Sequence, residues 1–258
     1  MRVSILNLGV DFRGVPALDD VSFAIASERV TALIGPNGAG KSTLLRCVYG
    51  LVPYRGRILL EEIDAGSLPA RERTDRIAYL PQDLQARSRL SVLEVVLLGK
   101  LGSLGWHVCD GDVELARANL ADVGIASLAD RPITELSLGQ RQLAFVAQAL
   151  IRSPRLLLLD EPTSALDLRH QLELLTLIRR LVAERKTTAL MVLHDLNLAS
   201  RFADHAVLLS SGRVHTTGAP ADVLTSATIE EVYGVEAEVH GRPDGAVLIT
   251  PVRALPTV

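Results

Sequence analysis

The stretch GPNGAGKST, residues 35–43, constrains this chain more than any other. It satisfies the pattern G-x-x-x-x-G-K-[ST], follows the apolar run VTALI (residues 30–34) and precedes a helical run from Lys41 to Tyr49. Strand, glycine-rich loop and helix in that order make a phosphate cradle. Glycines let the backbone wrap an anion without Cβ clashes, and the loop N–H groups and helix N-terminus face it. Gly35, Pro36, Asn37, Gly38, Ala39 and Gly40 are expected to line the anion, with Thr43 in the first helical turn. Lys41 would bring its ammonium to the β- and γ-phosphates, and Ser42 its hydroxyl to Mg2+. A chance glycine-rich turn would lack the flanking strand and helix. A GTPase would add an N-K-x-D base-reading motif. The chain's lysines are Lys41, Lys100 and Lys186, and none follows an asparagine.

A second motif, LLLLDEP (residues 156–162), ends a buried strand in two adjacent carboxylates. Neighbours on a strand point to opposite faces, but where the chain turns both can reach the sheet's C-terminal edge, where open α/β sheets bind ligands. Asp160 suits Mg2+, directly or through water, and Glu161 suits orienting and deprotonating an attacking water. The structural alternative is a strand-end pair capping the next helix.

Composition narrows the class further. The 258 residues are 48% hydrophobic, which excludes disorder and supplies a large core. A formal net charge of −3 points to neither a nucleic-acid binder nor a polybasic membrane anchor. Cys47 and Cys109 alone make no disulfide framework or zinc site, which fits a reducing cytosol. The N-terminal apolar stretch, broken by Asn7 and ended by Asp11, is too short and polar for a secretory signal. No run approaches the ~18 apolar residues of a spanning helix.

Short apolar runs alternate with helical patterns, so the expected class is α/β. Residues 30–34, 77–80, 156–159, 189–193 and 206–209 read as buried strands. Ser91 and Glu94 have capping-box spacing at the head of SVLEVVLLGKLG. Residues 112–123 carry a helical pattern, and Leu168, Leu172, Leu175, Ile178 and Val182 repeat as one apolar helix face. The helix-rich stretch 91–136 reads as an insertion in the α/β core. Near the end, VEAEVHG and AVLIT flank the turn signal Pro243-Asp244-Gly245 and read as a hairpin that either covers a sheet edge or regulates docking.

Further motifs stand in order along the chain: YLPQD with Gln82, LSLGQRQ (residues 136–142), SALD (residues 164–167) and LHD with His194. Together with the phosphate loop and LLLLDEP, this set resembles the ATP-binding cassette (ABC) ATPases over about residues 3–233. The resemblance implies a single ABC ATPase domain over residues 1–258. Its P-loop NTPase core would take residues 1–90 and 155–234, with an inserted helical subdomain over about 91–154, antiparallel β elements, and a hairpin tail over about 235–258.

The resemblance also implies roles. Phe12 falls where the family stacks an aromatic on adenine; a core position in the first strand is the structural alternative. Gln82 would sense Mg2+ and the attacking water, in a segment facing the membrane partner, and His194 would touch the γ-phosphate. Ser137, Gly139 and Gln140 belong to the signature motif, which caps the γ-phosphate held by a second subunit. Asp167 would lie at that interface. The common signature LSGGQ has glycine where this chain has Leu138, so either the backbone is ordinary there or the loop differs. One phosphate loop and one signature imply half of a catalytic unit, hence a homodimer around two ATP molecules.

The chain looks most like importer ATPases serving ferric siderophores, haem and cobalamin. That implies permease partners and, indirectly, a substrate-binding protein, with this subunit peripheral on the cytoplasmic face of the inner membrane and no nucleic acid. The rivals are another importer or exporter motor, a soluble cluster-assembly ATPase, and a catalytically silent binding module. Trp106 and His107 are candidates to face the permease, with a solvent-exposed or packing role as the equally weighted alternative.

Overall fold

The computed structural model describes residues 1–83, 89–100 and 108–256; Trp106 and His107 lie outside the described residues. The chain opens with the antiparallel pair β1 (Val3–Phe12) and β2 (Val15–Ile25). β3 (Val30–Ile34), α1 (Lys41–Tyr49), β4 (Arg55–Leu60) and β5 (Ile63–Asp64) follow. α2 (Ala70–Arg76) leads into β6 (Ile77–Leu80), and then come α3 (Val92–Leu98), α4 (Asp110–Asp122) and α5 (Leu138–Leu150). The chain returns through β7 (Leu156–Leu159), α6 (Leu168–Arg185), β8 (Thr188–Val192), α7 (Leu196–Phe202) and β9 (His205–Ser210). β10 (Arg213–Gly218), α8 (Pro220–Val223), α9 (Ser226–Tyr233), β11 (Val235–Gly241) and β12 (Val247–Ala254) complete it.

The central sheet has six strands in the order β10-β9-β3-β8-β7-β6, parallel except for β10. Both of its faces are covered, which is why its strands read as continuous apolar runs. Alternation sends Leu158, Val192 and Leu33 toward α1 and the antiparallel sheet β2-β1-β4-β5. It sends Leu157, Leu159 and Met191 toward a second core shared with α5 and α6. Truncating a side chain as buried as Leu158 to alanine would cost about 2–5 kcal/mol.

The strand and helix expectations hold with small shifts. β8 starts at Thr188, one residue early, because its ladder pairs Leu156 with Thr188 and Val30 with Ala189. Ser91 and Glu94 form the capping box of α3. Leu168 departs from the apolar face assigned to it: it opens α6 and is 70% exposed. The terminal hairpin forms at its Pro-Asp-Gly turn, but among the described residues it hydrogen-bonds to the edge of neither larger sheet. Among the described residues β11 and β12 pair with each other alone. They dock on α7, where the Asn197 amide donates to the Ile249 carbonyl at 3.1 Å and accepts from its N–H at 2.8 Å. The Ser200 hydroxyl accepts from the Val247 N–H.

Candidate nucleotide site

The loop after β3 is shaped by close backbone approaches. Gly35 has φ +145°, and a Cβ there would lie 2.1 Å from the Leu209 carbonyl oxygen on β9. Gly40, at φ +97°, would place one 2.6 Å from the Ala17 carbonyl on β2. The loop is thus clamped between two sheets, with Asn37 and Gly38 exposed at its tip. Gly40 is the N-cap of α1 and brings no side chain to cap it, so the first-turn amides stay open to an anion. Lys41 is only 5% exposed. Its Nζ bends back to donate to the carbonyls of Gly35 and Pro36, both at 2.8 Å. Burial lowers the Lys41 pKa, with the charges of Glu161 and Asp160 opposing that shift.

Across from the loop, β7 ends in Asp160, 1% exposed, whose N–H donates to the Leu80 carbonyl. The Ser42 hydroxyl donates to its Oδ1 at 2.8 Å, and the Tyr79 phenol to its Oδ2 at 3.1 Å. Ser42 and Asp160 are a pair of hard oxygen donors, the chemistry that suits a small divalent cation. Among the described residues no group of three or more His, Cys, Asp or Glu gathers to hold a metal.

Glu161 follows in the left-handed region, φ 52°, unusual for a side chain with a Cβ. That kink is the local reason both adjacent carboxylates serve one site. Gln82 Nε2 donates to Glu161 Oε2 at 2.6 Å, and His194 Nε2 stands 2.5 Å from Oε1. His194 immediately follows β8 and Leu193, and the next residue, Asp195, caps α7. Gln82, Glu161 and His194, far apart in sequence, therefore meet at one carboxylate.

Phe12 is not a core residue: at the end of β1 it is 50% exposed, paired in register with Val15, 67% exposed. Together they make an apolar platform at the hairpin end of the strands that also supply Ala17 to the loop. Val15 was not foreseen. Its exposure depends on the tight turn at Arg13 and Gly14, both at positive φ.

The signature residues form a separate cluster. Ser137 caps α5, accepting from the Gln140 N–H at 3.3 Å, while Gln140 Oε1 accepts from the Ser137 N–H at 3.1 Å. The Gln140 side chain is thus folded into its own helix cap. Leu138 starts the helix, has no positive φ and is 46% exposed, so the backbone at this departure from the common motif is ordinary. Gly139 is needed for packing: a Cβ there would lie 2.7 Å from the His170 ring. Asp167 caps α6 by accepting from the His170 N–H at 2.9 Å and lies 2.7 Å from His170 Nδ1. These bonds, the His170 N–H first, hold the Asp167 carboxyl below its ordinary pKa. Among the described residues, no hydrogen bond of Ser137, Gly139, Gln140 or Asp167 reaches the phosphate loop.

Beside the site, a cavity of about 500 Å³ opens between β6 and the helices α3 and α5, walled by Tyr49, Tyr79, Pro81, Phe145, Gln148 and Arg152. No helix among the described residues is long and apolar enough to cross a membrane.

The chain is similar to known proteins along most of its length. The ABC transporter family profile matches residues 18–164. The cobalamin import ATP-binding protein BtuD of Halobacterium salinarum is 37% identical over 98% of this chain, which spans 64% of that protein's length. The hemin import ATP-binding protein HmuV of Bradyrhizobium diazoefficiens is 41% identical, covering 91% of this chain and 88% of that one. A solved transporter described as of the metal-chelate type, in an inward-facing conformation, superposes with a TM-score of 0.84 at 27% identity, covering 97% of both chains.

Proposed function

This chain belongs to the ABC transporter family, and from that premise we propose that it is the ATP-hydrolysing subunit of an importer. The observation that carries the hydrolytic reading is the Glu161 carboxylate, held between Gln82 and His194 beside the Ser42–Asp160 pair. Glu161 takes the proton of the water that attacks the γ-phosphorus, Gln82 orients that water, and His194 steadies the γ-phosphate. Lys41 leaves the Gly35 and Pro36 carbonyls to meet the phosphates, and Phe12 stacks on adenine. Ser42 and Asp160, with Gln82 nearby, would hold Mg2+, which supplies positive charge to the phosphate oxygens when bound.

Two copies complete two sites, each copy offering its Ser137–Gln140 turn and Asp167 to the nucleotide of the other. The exposed Leu138, at the head of a turn already capped from within, supports that arrangement. The subunit sits peripherally on the cytoplasmic face of the inner membrane. A permease segment enters the cavity walled by Tyr79 and Pro81, and a substrate-binding protein feeds the permease. The cargo is an iron chelate, either a ferric siderophore or haem, or else cobalamin. Similarity to the cobalamin import protein BtuD and the hemin import protein HmuV supports this cargo class.

Glu161→Gln is expected to bind ATP and dimerise, while turnover falls about 10²- to 10⁴-fold. Wild-type-like hydrolysis in that variant removes Glu161 from the base role. The same variant, loaded with ATP and recovered from native membranes in mild detergent, should bring a polytopic permease and a chelate-binding protein. A soluble assembly factor in their place would sink the transport reading while leaving the ATPase chemistry intact.

A further inference from the structure

Tyr79 was not among the residues expected at the site, yet it touches the site's most buried carboxylate. β6 and β7 are parallel with Tyr79 opposite Leu158. Leu158 and Asp160 are two residues apart and share a face of the sheet. Tyr79 therefore lies diagonally beside Asp160, on the side covered by α1. Its ring rests 5.4 Å from that of Tyr49 on α1, tilted by 33°. This contact fixes where the phenol can reach.

The two Asp160 oxygens have different partners: Oδ1 accepts from Ser42 and Oδ2 from Tyr79. The torsion that orients a carboxylate is broad and nearly two-fold, so two opposed partners are what define it. The direction of the Tyr79 bond is fixed as well. An ionised carboxylate has no proton to donate, so Asp160 accepts and the phenol is the donor. The phenolic proton must then point at Asp160. When Ser42 turns its oxygen toward a cation, Tyr79 is the side chain that still holds the carboxylate in place. A buried carboxylate without it would lose both its orientation and a hydrogen bond to a charged oxygen.

We propose that Tyr79 is a positioning residue for the metal–nucleotide site: its phenol holds Oδ2 of Asp160 so that Oδ1 stays aimed at the cation shared with Ser42. This rests on the assignment of Asp160 to Mg2+. Groups that orient a metal-ligating carboxylate typically change metal affinity about 10- to 100-fold when removed.

The test is Tyr79→Phe, which keeps the ring against Tyr49 and removes only the hydroxyl. ATP affinity of the full chain is measured by fluorescence with Mg2+ and with EDTA, and hydrolysis is titrated with Mg2+. The expected result is an unchanged affinity in EDTA and an enhancement by Mg2+ reduced about ten-fold. The half-saturating Mg2+ concentration should rise by the same factor, and excess Mg2+ should recover turnover. Unchanged Mg2+ dependence, or an equal loss with Mg2+ and with EDTA, overturns the proposal. Asp160→Asn run in parallel separates the two readings. Unchanged Mg2+ dependence there removes both the metal assignment and the role of Tyr79. Lost dependence there with wild-type behaviour in Tyr79→Phe removes the role of Tyr79 alone.

Discussion

Two helix N-termini in this molecule are candidates to meet phosphate, and they are finished in opposite ways. At α1 the cap is Gly40, which offers no side chain, and the loop before it is clamped by backbone carbonyls of Ala17 and Leu209. Its amides are open and its shape is fixed from within the chain. At α5 the cap is Ser137, and Gln140 closes a reciprocal box with it. The Gln140 amide is already spent, and the turn instead shows Leu138 to the outside. An open terminus in a rigid cradle suits a ligand bound by one subunit alone. A self-capped terminus holds its shape without a ligand and waits for a complementary surface.

The sharpest way to break this contrast is to give each loop one extra carbon. Gly35→Ala forces a Cβ into the Leu209 carbonyl from a left-handed backbone, so nucleotide affinity should fall by about a hundred-fold or more. Near-wild-type binding, read by equilibrium dialysis, would show that the cradle is not rigid. Gly139→Ala pushes against the His170 side chain, which can yield. Binding of ATP to the single subunit should stay within about two-fold, while turnover drops about ten-fold through misplacement in the dimer. A matching loss of binding would erase the distinction between the two turns.

The smallest effect concerns the scaffold of the signature helix. Lys100 pairs with Asp112 on α4, and Cys109 also donates to that carboxylate. The Lys100 hydrogen bond, followed by those from Cys109, depresses the Asp112 pKa to about 2. A depressed folded-state value stabilises the fold above the unfolded value, about 4, and the benefit is lost as pH falls toward the folded one. The melting-temperature gap between wild type and Asp112→Asn should therefore be full near neutrality and close between about pH 4 and about pH 2. A gap independent of pH would assign the effect to packing.

Much of the cradle is legible in the sequence because its signals are local. A doubly covered strand must be a continuous apolar run, and a phosphate loop must carry glycines where carbonyls crowd it. The Ser91–Glu94 box is legible for the same reason. The antiparallel sheet is harder to read: register shifts between Ile5 and Leu8 and between Leu8 and Val10 interrupt the alternation that marks a strand. Tyr79 is hidden because its role depends on the β6–β7 register, across 81 residues to Asp160. The side chains of Gln140 and Asp167 are recognisable by motif, but their use as caps follows from where α5 and α6 begin. The hairpin's turn is written in Pro243-Asp244-Gly245, whereas its berth on α7 depends on Asn197 and Ser200, which carry no such signal.

The clamp on Gly35 also sets a timetable. β3 lies between β8 and β9, and the carbonyl that presses on the phosphate loop belongs to Leu209, a residue made long after the loop itself. During synthesis the glycine-rich segment emerges early with Ala17 of β2 already made, but its second clamp is missing until the strand of residues 205–210 is in place. Non-local parallel pairing of this kind forms late. A cradle closed on both sides therefore requires a chain that is already nearly whole.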